Sequence, residues 1–128
     1  MLVPDDLLYT KEHEWVRVKD NTAVIGITDH AQGALGDITF ADLPRCGSVV
    51  EQFKRYATVE SVKAASDVFA PVSGKIVKIN AELAAHPELI NKSPYDGGHF
   101  AEVEMSDPKE LSGLMKPAEY KKHIEGLS

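Results

Sequence analysis

Residues 56–74, YATVESVKAASDVFAPVSG, constrain the fold more than any other stretch of the chain. Ala57 and Val59 alternate with Thr58 and Glu60 at a period of two, the pattern of a strand buried on one face. A second apolar run begins at Val68 and Phe69 and is closed by Pro71 and Gly74. One lysine, Lys63, stands between the runs among Ser61, Val62, Ala64 and Ala65, all too small to cover it. The pattern predicts a β-hairpin that carries Lys63 at its tip. On an arbitrary hairpin such a lysine is only a solvated charge.

The rest of the chain repeats short strands punctuated by turn signals. Glu14–Lys19 and Thr22–Ile27 read as a hairpin around Asp20-Asn21, with Trp15 as a core anchor. Thr28-Asp29 caps a two-turn helix that ends at Gly36. Residues 37–43 alternate as a strand, with Ile38 and Phe40 on one face and Thr39 and Ala41 on the other. Pro44 to Gly47 turns the chain into a short strand at 48–51. Residues 75–80 form another, with Ile76 inward and Val77 and Ile79 as further inward candidates. Asn80 caps a short helix over 81–85, and residues 88–91 run on into a loop at 92–98. Residues 99–105 are a last strand. Ser106 or Asp107 then caps a helix reaching about Leu114, and a final helix runs from Lys116-Pro117 to near Gly126. Such a series predicts a mainly β fold, an antiparallel sandwich or flattened barrel with short helices at its margins and C-terminus. Parallel α/β is disfavoured, because the helices are too few and too short to cross over between strands.

With 128 residues the chain is read as one domain, residues 1–128, with a modest core. Its net charge of −6 disfavours nucleic acid as a partner, since phosphate binding needs a clustered basic surface. No apolar run approaches the roughly 20 residues that span a bilayer, so no membrane partner is expected. MLVPDDLLYT lacks both the layout of a secretory signal and the Arg-rich character of a transit peptide. A cytoplasmic protein is expected, with a trimmed mitochondrial form as the alternative. Cys46, the single cysteine, sits in a turn and is read as incidental. His13, His30, His86, His99 and His123 show no metal-ligand spacing, so no metal is expected. No G-x-G-x-x-G, P-loop or G-x-S-x-G is present, which favours a carrier over an enzyme.

Glu60, Ser61, Val62, Lys63 and Ala64 match the E-S-x-K-A signature of lipoyl-accepting lysines. Biotin carriers set methionines on both sides of the lysine, where Val62 and Ala64 stand here. The longer string ESVKAASDVFAPVSGKI resembles the aminomethyl carriers of the glycine cleavage system, the H proteins. Four further segments are similar in order: Tyr9 with His13-Glu14-Trp15; Gly26 to Asp29 through Ala31-Gln32 and Leu35 to Ile38; Leu43-Pro44 with Gly47; and Asn80 with Pro87 to Leu89, Asn91 and Pro94-Tyr95. One position departs: after Pro94-Tyr95 the family has G-x-G-W, whereas here Asp96-Gly97-Gly98 is followed by His99.

The resemblance implies the lipoyl/biotinyl carrier fold and lipoic acid joined to Lys63 as an amide. It implies a non-catalytic protein, expected to be monomeric, that is shared by several enzymes. A pyridoxal-phosphate (PLP) dependent glycine decarboxylase loads an aminomethyl group on the arm. A folate-dependent aminomethyltransferase then unloads it, and dihydrolipoamide dehydrogenase reoxidises the dithiol. A lipoate ligase or lipoyl transferase installs the arm, with Glu60 and Asp67 as recognition residues beside the Ser61, Val62 and Ala64 turn. Glu14 is the first candidate for pairing with the loaded arm in a surface cleft; a solvated strand glutamate is the plain alternative. The competing reading is an H-like carrier serving lipoyl relay or another redox pathway. A lipoyl domain of a 2-oxoacid dehydrogenase and an unmodified structural β-sandwich rank lower.

Overall fold

The structure is a computed structural model and describes residues 1–127. Its strands are β1 (Leu8–Tyr9), β2 (Glu14–Lys19), β3 (Thr22–Ile27), β4 (Ile38–Asp42), β5 (Val49–Val50), β6 (Arg55–Ser61), β7 (Ala65–Phe69), β8 (Gly74–Ile79) and β9 (Ala101–Met105). Helices α1 (Asp29–Leu35), α2 (Glu82–Ala85), α3 (Leu89–Lys92) and α4 (Pro117–Glu125) and a 3-10 helix (Pro108–Gly113) are added around them. One sheet has six strands in the order β1-β2-β3-β9-β8-β5 and the other has three in the order β4-β6-β7. All neighbours are antiparallel. Both sheets keep open edges, so the architecture is a sandwich and not a closed barrel.

The inward faces of the sheets meet in one apolar cluster that includes Val16, Ile25, Val59, Ile76 and Val103. Each such side chain contributes about 1.5–3 kcal/mol by leaving water. A second cluster gathers Leu7, Tyr9, Trp15, Tyr95 and Tyr120 under the C-terminal helix. Trp15 is fully buried, and its Nε1 donates to the carbonyls of Ile27 at 3.0 Å and Pro94 at 3.1 Å. Its ring leaves no room for a side chain at Gly26, where a Cβ would lie 2.9 Å from the indole.

The expected β2–β3 hairpin has its predicted bounds, and Asp20 takes a φ of +56°, the positive value that tight hairpin turns require. Helix α1 is capped as expected: Thr28 Oγ1 accepts from Ala31 N. Asp107, and not Ser106, caps the segment after β9, which is a 3-10 helix.

Several expectations are corrected. Phe40 does not share the inward face with Ile38; a bulge between them turns Phe40 out to 50% exposure and brings Ala41 in. Val77 lies on the opposite face from Ile76 and points outward at 46% exposure, and a second bulge between Ile76 and Lys78 leaves Lys78 exposed where alternation would bring it inward. Residues 89–92 are a turn of helix, and the last strand begins at Ala101 and not at 99. The two-residue strand β1, bridged by Tyr9 to Met115, has no expected counterpart. Its few residues carry no period.

Candidate functional site

Lys63 stands at the tip of the β6–β7 hairpin, exposed, two residues beyond the Glu60–Ala65 pair. The turn is closed by Ser61 N donating to the Ala64 carbonyl at 2.8 Å. Neither Val62 nor Lys63 has a positive φ, so the tip is not one of the primed turns that suit two-residue hairpins. Ser61 compensates. Its Oγ accepts from the amides of Lys63 and Ala64, both at 3.2 Å, and donates to the Ala64 carbonyl at 3.1 Å. The serine beside the lysine is therefore the fastener of the turn. Glu60 and Val62 are exposed, and Val62 presents its side chain at 68% exposure.

The tip rests on a second piece of chain. Val62 N donates to the carbonyl of Asp37 at 3.1 Å, at the corner between α1 and β4. The Lys63 stem passes over Gly36, so closely that a Cβ there would lie 3.4 Å from Cε.

β7 is an edge strand, and a cleft of about 340 Å³ lies between its outer side and α1. Ser66, Asp67 and Phe69 form one wall and Ala31, Ala34 and Leu35 the other, with Glu12, His13 and His30 among the remaining lining residues. Ser66 is three residues from Lys63, roughly 10 Å along an extended strand. Along α1 the lining is apolar at Ala31, Ala34 and Leu35 and polar at His30, and the cleft carries Glu12 and Asp67. Burial, with His30 and His123 nearby, pushes the His13 imidazole down to about 4. His13 is therefore neutral at pH 7 and adds no positive charge to this acidic wall.

Glu14 is not a solvated strand glutamate. It is 2% exposed, it accepts from the Thr10 hydroxyl, and its other oxygen takes a long 3.4 Å bond from Phe69 N on the open edge of β7. Burial is the dominant effect and pushes its carboxyl up to about 7 against those hydrogen bonds. The Tyr56 hydroxyl is sealed nearby with no hydrogen-bond partner among the described residues. Burial, with the Glu14 charge second, holds its pKa well above the usual phenol range.

Asp67 thus lines the cleft directly, whereas Glu14 lies behind Phe69. His99 lies outside the cleft lining, its Nδ1 held 2.8 Å from the Asp96 carbonyl in its own loop.

A family profile described as "Glycine cleavage H-protein" matches residues 7–126. The chain belongs to the glycine cleavage H-protein family. It is 46% identical over 118 residues to the glycine cleavage system H protein of Myxococcus xanthus, covering 92% of each chain. It is 48% identical over 124 residues to that of Carboxydothermus hydrogenoformans, covering 97% of this chain and 95% of the relative. Among solved structures, the crystal structure of a glycine cleavage system H protein from Mycobacterium marinum superposes with a TM-score of 0.90 at 33% identity, covering 96% of this chain and 99% of that one. The chain is accordingly an H-protein component of the glycine cleavage system.

Reasoning from sequence placed Lys63 and its turn but gave Gly36 no part beyond ending a helix. It also gave none to Ala31, Ala34 or Leu35. These residues meet β7 only through the tertiary fold, and no local period marks them.

Proposed function

We propose that Lys63 carries lipoic acid as an amide and that this chain is a non-catalytic, monomeric, cytoplasmic shuttle of the glycine cleavage system. The observation that carries the reading is the presentation of Lys63: exposed, at the tip of a hairpin fastened by Ser61, beside a cleft. A ligase or transferase reaches the amine without unfolding anything. Acylation joins Nζ to an activated lipoyl carboxyl: the C–N bond forms, the activating group leaves with the C–O electron pair, and the amine's surplus protons pass to solvent. The site loses a positive charge in the process.

When bound, the lipoyl group supplies a strained disulfide that takes up an aminomethyl unit and is restored by reoxidation. The chain's own residues bind and shelter what the arm carries. Asp67 and Glu12 present carboxylates to the cleft, and Ala31, Ala34 and Leu35 exclude water along its other wall. Glu14, close to half-ionised near neutral pH, is the carboxylate with most to gain from a cationic amine. Neutral His13 does not oppose such a charge. Glu60, exposed on the tip's outer face, is available for recognition by the modifying enzyme.

The partners are the PLP-dependent glycine decarboxylase, the folate-dependent aminomethyltransferase and dihydrolipoamide dehydrogenase. Reconstitution tests the proposal. Lipoylated wild-type chain should support glycine decarboxylation and folate-dependent release of ammonia, and Lys63→Arg should support neither. Lipoylated chain that is inactive with these enzymes would favour lipoyl relay to another pathway.

A further inference from the structure

Asn91 sits in α3, distant in sequence from the lysine hairpin, yet its side chain spends all of its polar atoms near that hairpin's support. Nδ2 donates to the Gly36 carbonyl and to Gln32 Oε1, both at 2.9 Å, and Oδ1 accepts from Ile38 N at 2.8 Å. These bonds clamp the corner between α1 and β4 on both sides of Asp37. Asp37 in turn accepts from Val62 N at the tip, and the stem of Lys63 lies over Gly36. Gly36 has φ +80° and ψ −160°, a region only glycine occupies readily, so the corner needs an external brace to hold it.

We infer that Asn91 is a positioning residue for Lys63: it fixes the Gly36–Asp37 corner as a seat that sets the direction in which the lysine leaves the tip. The role deepens, and rests on, the reading of Lys63 as the acylated residue. A hairpin tip with a two-residue connection and no primed turn would otherwise swing about β6 and β7. Its link to the corner restricts that swing, and the corner is only as rigid as its brace. Asn91 touches neither the lysine nor any group joined to it. Its effect passes through backbone.

A second asparagine supplies the control. Asn80 makes three comparable bonds, donating to the carbonyls of Gly97 at 2.7 Å and His99 at 2.8 Å and accepting from Glu82 N at 3.3 Å. None of these partners is at the tip. The experiment compares unmodified wild-type chain, Asn91→Ala and Asn80→Ala. It reads proton cross-peaks between the Lys63 side chain and Gly36 Hα, ¹⁵N relaxation at residues 62–64, and kcat/KM for acylation by a lipoate ligase.

Wild type is expected to show the cross-peaks and an ordered tip. Both variants should melt earlier, but only Asn91→Ala should lose the cross-peaks and mobilise the tip. Its acylation should slow by roughly tenfold, the scale expected when a reacting group is mispositioned. Should Asn91→Ala fail to fold, Asn91→Asp keeps the acceptor for Ile38 and loses the donor to Gly36, and the same losses are expected. Absence of the cross-peaks in wild type would overturn the inference, as would equal effects from both asparagines. Cross-peaks and an ordered tip on a lysine that no ligase acylates would instead overturn the reading of Lys63 and leave the seat standing.

Discussion

Ser61 at the tip and Glu14 behind Phe69 do work that their residue type does not announce. Ser61 takes the place of the glycine or asparagine that a two-residue hairpin ordinarily needs, by supplying an acceptor to two tip amides and a donor to one carbonyl. Ser61→Ala should loosen the turn at a cost of about 1 kcal/mol, the net worth of a typical hydrogen bond, and should raise backbone mobility at residues 62–64. Chemical denaturation and ¹⁵N relaxation check both. Burial favours the neutral form of Glu14, with a carboxyl near 7 against 4.5 for the free side chain. The folded chain therefore binds the extra proton between those values, and the stability gained from the neutral form is lost as pH rises through about 7. Relative to Glu14→Gln, wild type should become progressively less stable from pH 5 to pH 8, by on the order of 3 kcal/mol. Parallel stability–pH curves for the two proteins would show that Glu14 is ionised at no unusual cost.

At the scale of elements, two bulges decide which side chains face the core. In β8 alternation from Ile76 would bring Lys78 inward, but the bulge before Lys78 leaves it in solvent and returns Ile79 toward the core. Val77 faces out, on the opposite face from Ile76. Ile76→Ala should then cost about 2–5 kcal/mol, as for a fully buried aliphatic side chain, whereas Val77→Thr should stay within about 0.5 kcal/mol. Urea melts of the two variants measure this directly. The period-two pattern was legible in β6 and over Thr22–Ile25 of β3, where alternation matches burial; in β2 it is lost, because Glu14, Trp15 and Val16 are all buried. It failed in β4 and β8 because a bulge adds one residue to a strand without marking the sequence. Residues 88–92 failed for another reason: one helical turn is too short to show a 3.6 period, and α3 is held by long-range contacts such as those of Asn91. The lysine tip was legible because its chemistry is local. The cleft beside it was not, since α1 and β7 meet only once the chain has folded.

Across the whole molecule the C-terminal helix is tied back onto β1, the β1–β2 connection and the cap of α1. Tyr120 stacks on Tyr9 with ring centres 4.5 Å apart, and its hydroxyl lies 2.7 Å from Thr28 Oγ1 and 2.9 Å from His13 Nδ1. His123 Nε2 lies 3.0 Å from the Lys11 carbonyl. His13 is therefore at once a wall of the cleft and a link to α4. Its pKa is lowered to about 4 from 6.5, so the fold favours the neutral ring. That contribution is intact above about pH 6.5 and is lost as pH falls toward 4. Relative to His13→Gln, wild type should lose Tm over that interval and hold it above, as thermal melts across pH will show.

The proposed lipoylation of Lys63 is tested most directly by the intact mass of the chain purified from lipoate-supplied cells, with peptide mapping across Lys63. A single lipoyl increment on Lys63, absent from Lys63→Arg, is the predicted result. An unmodified Lys63 in the presence of an active ligase would contradict the account.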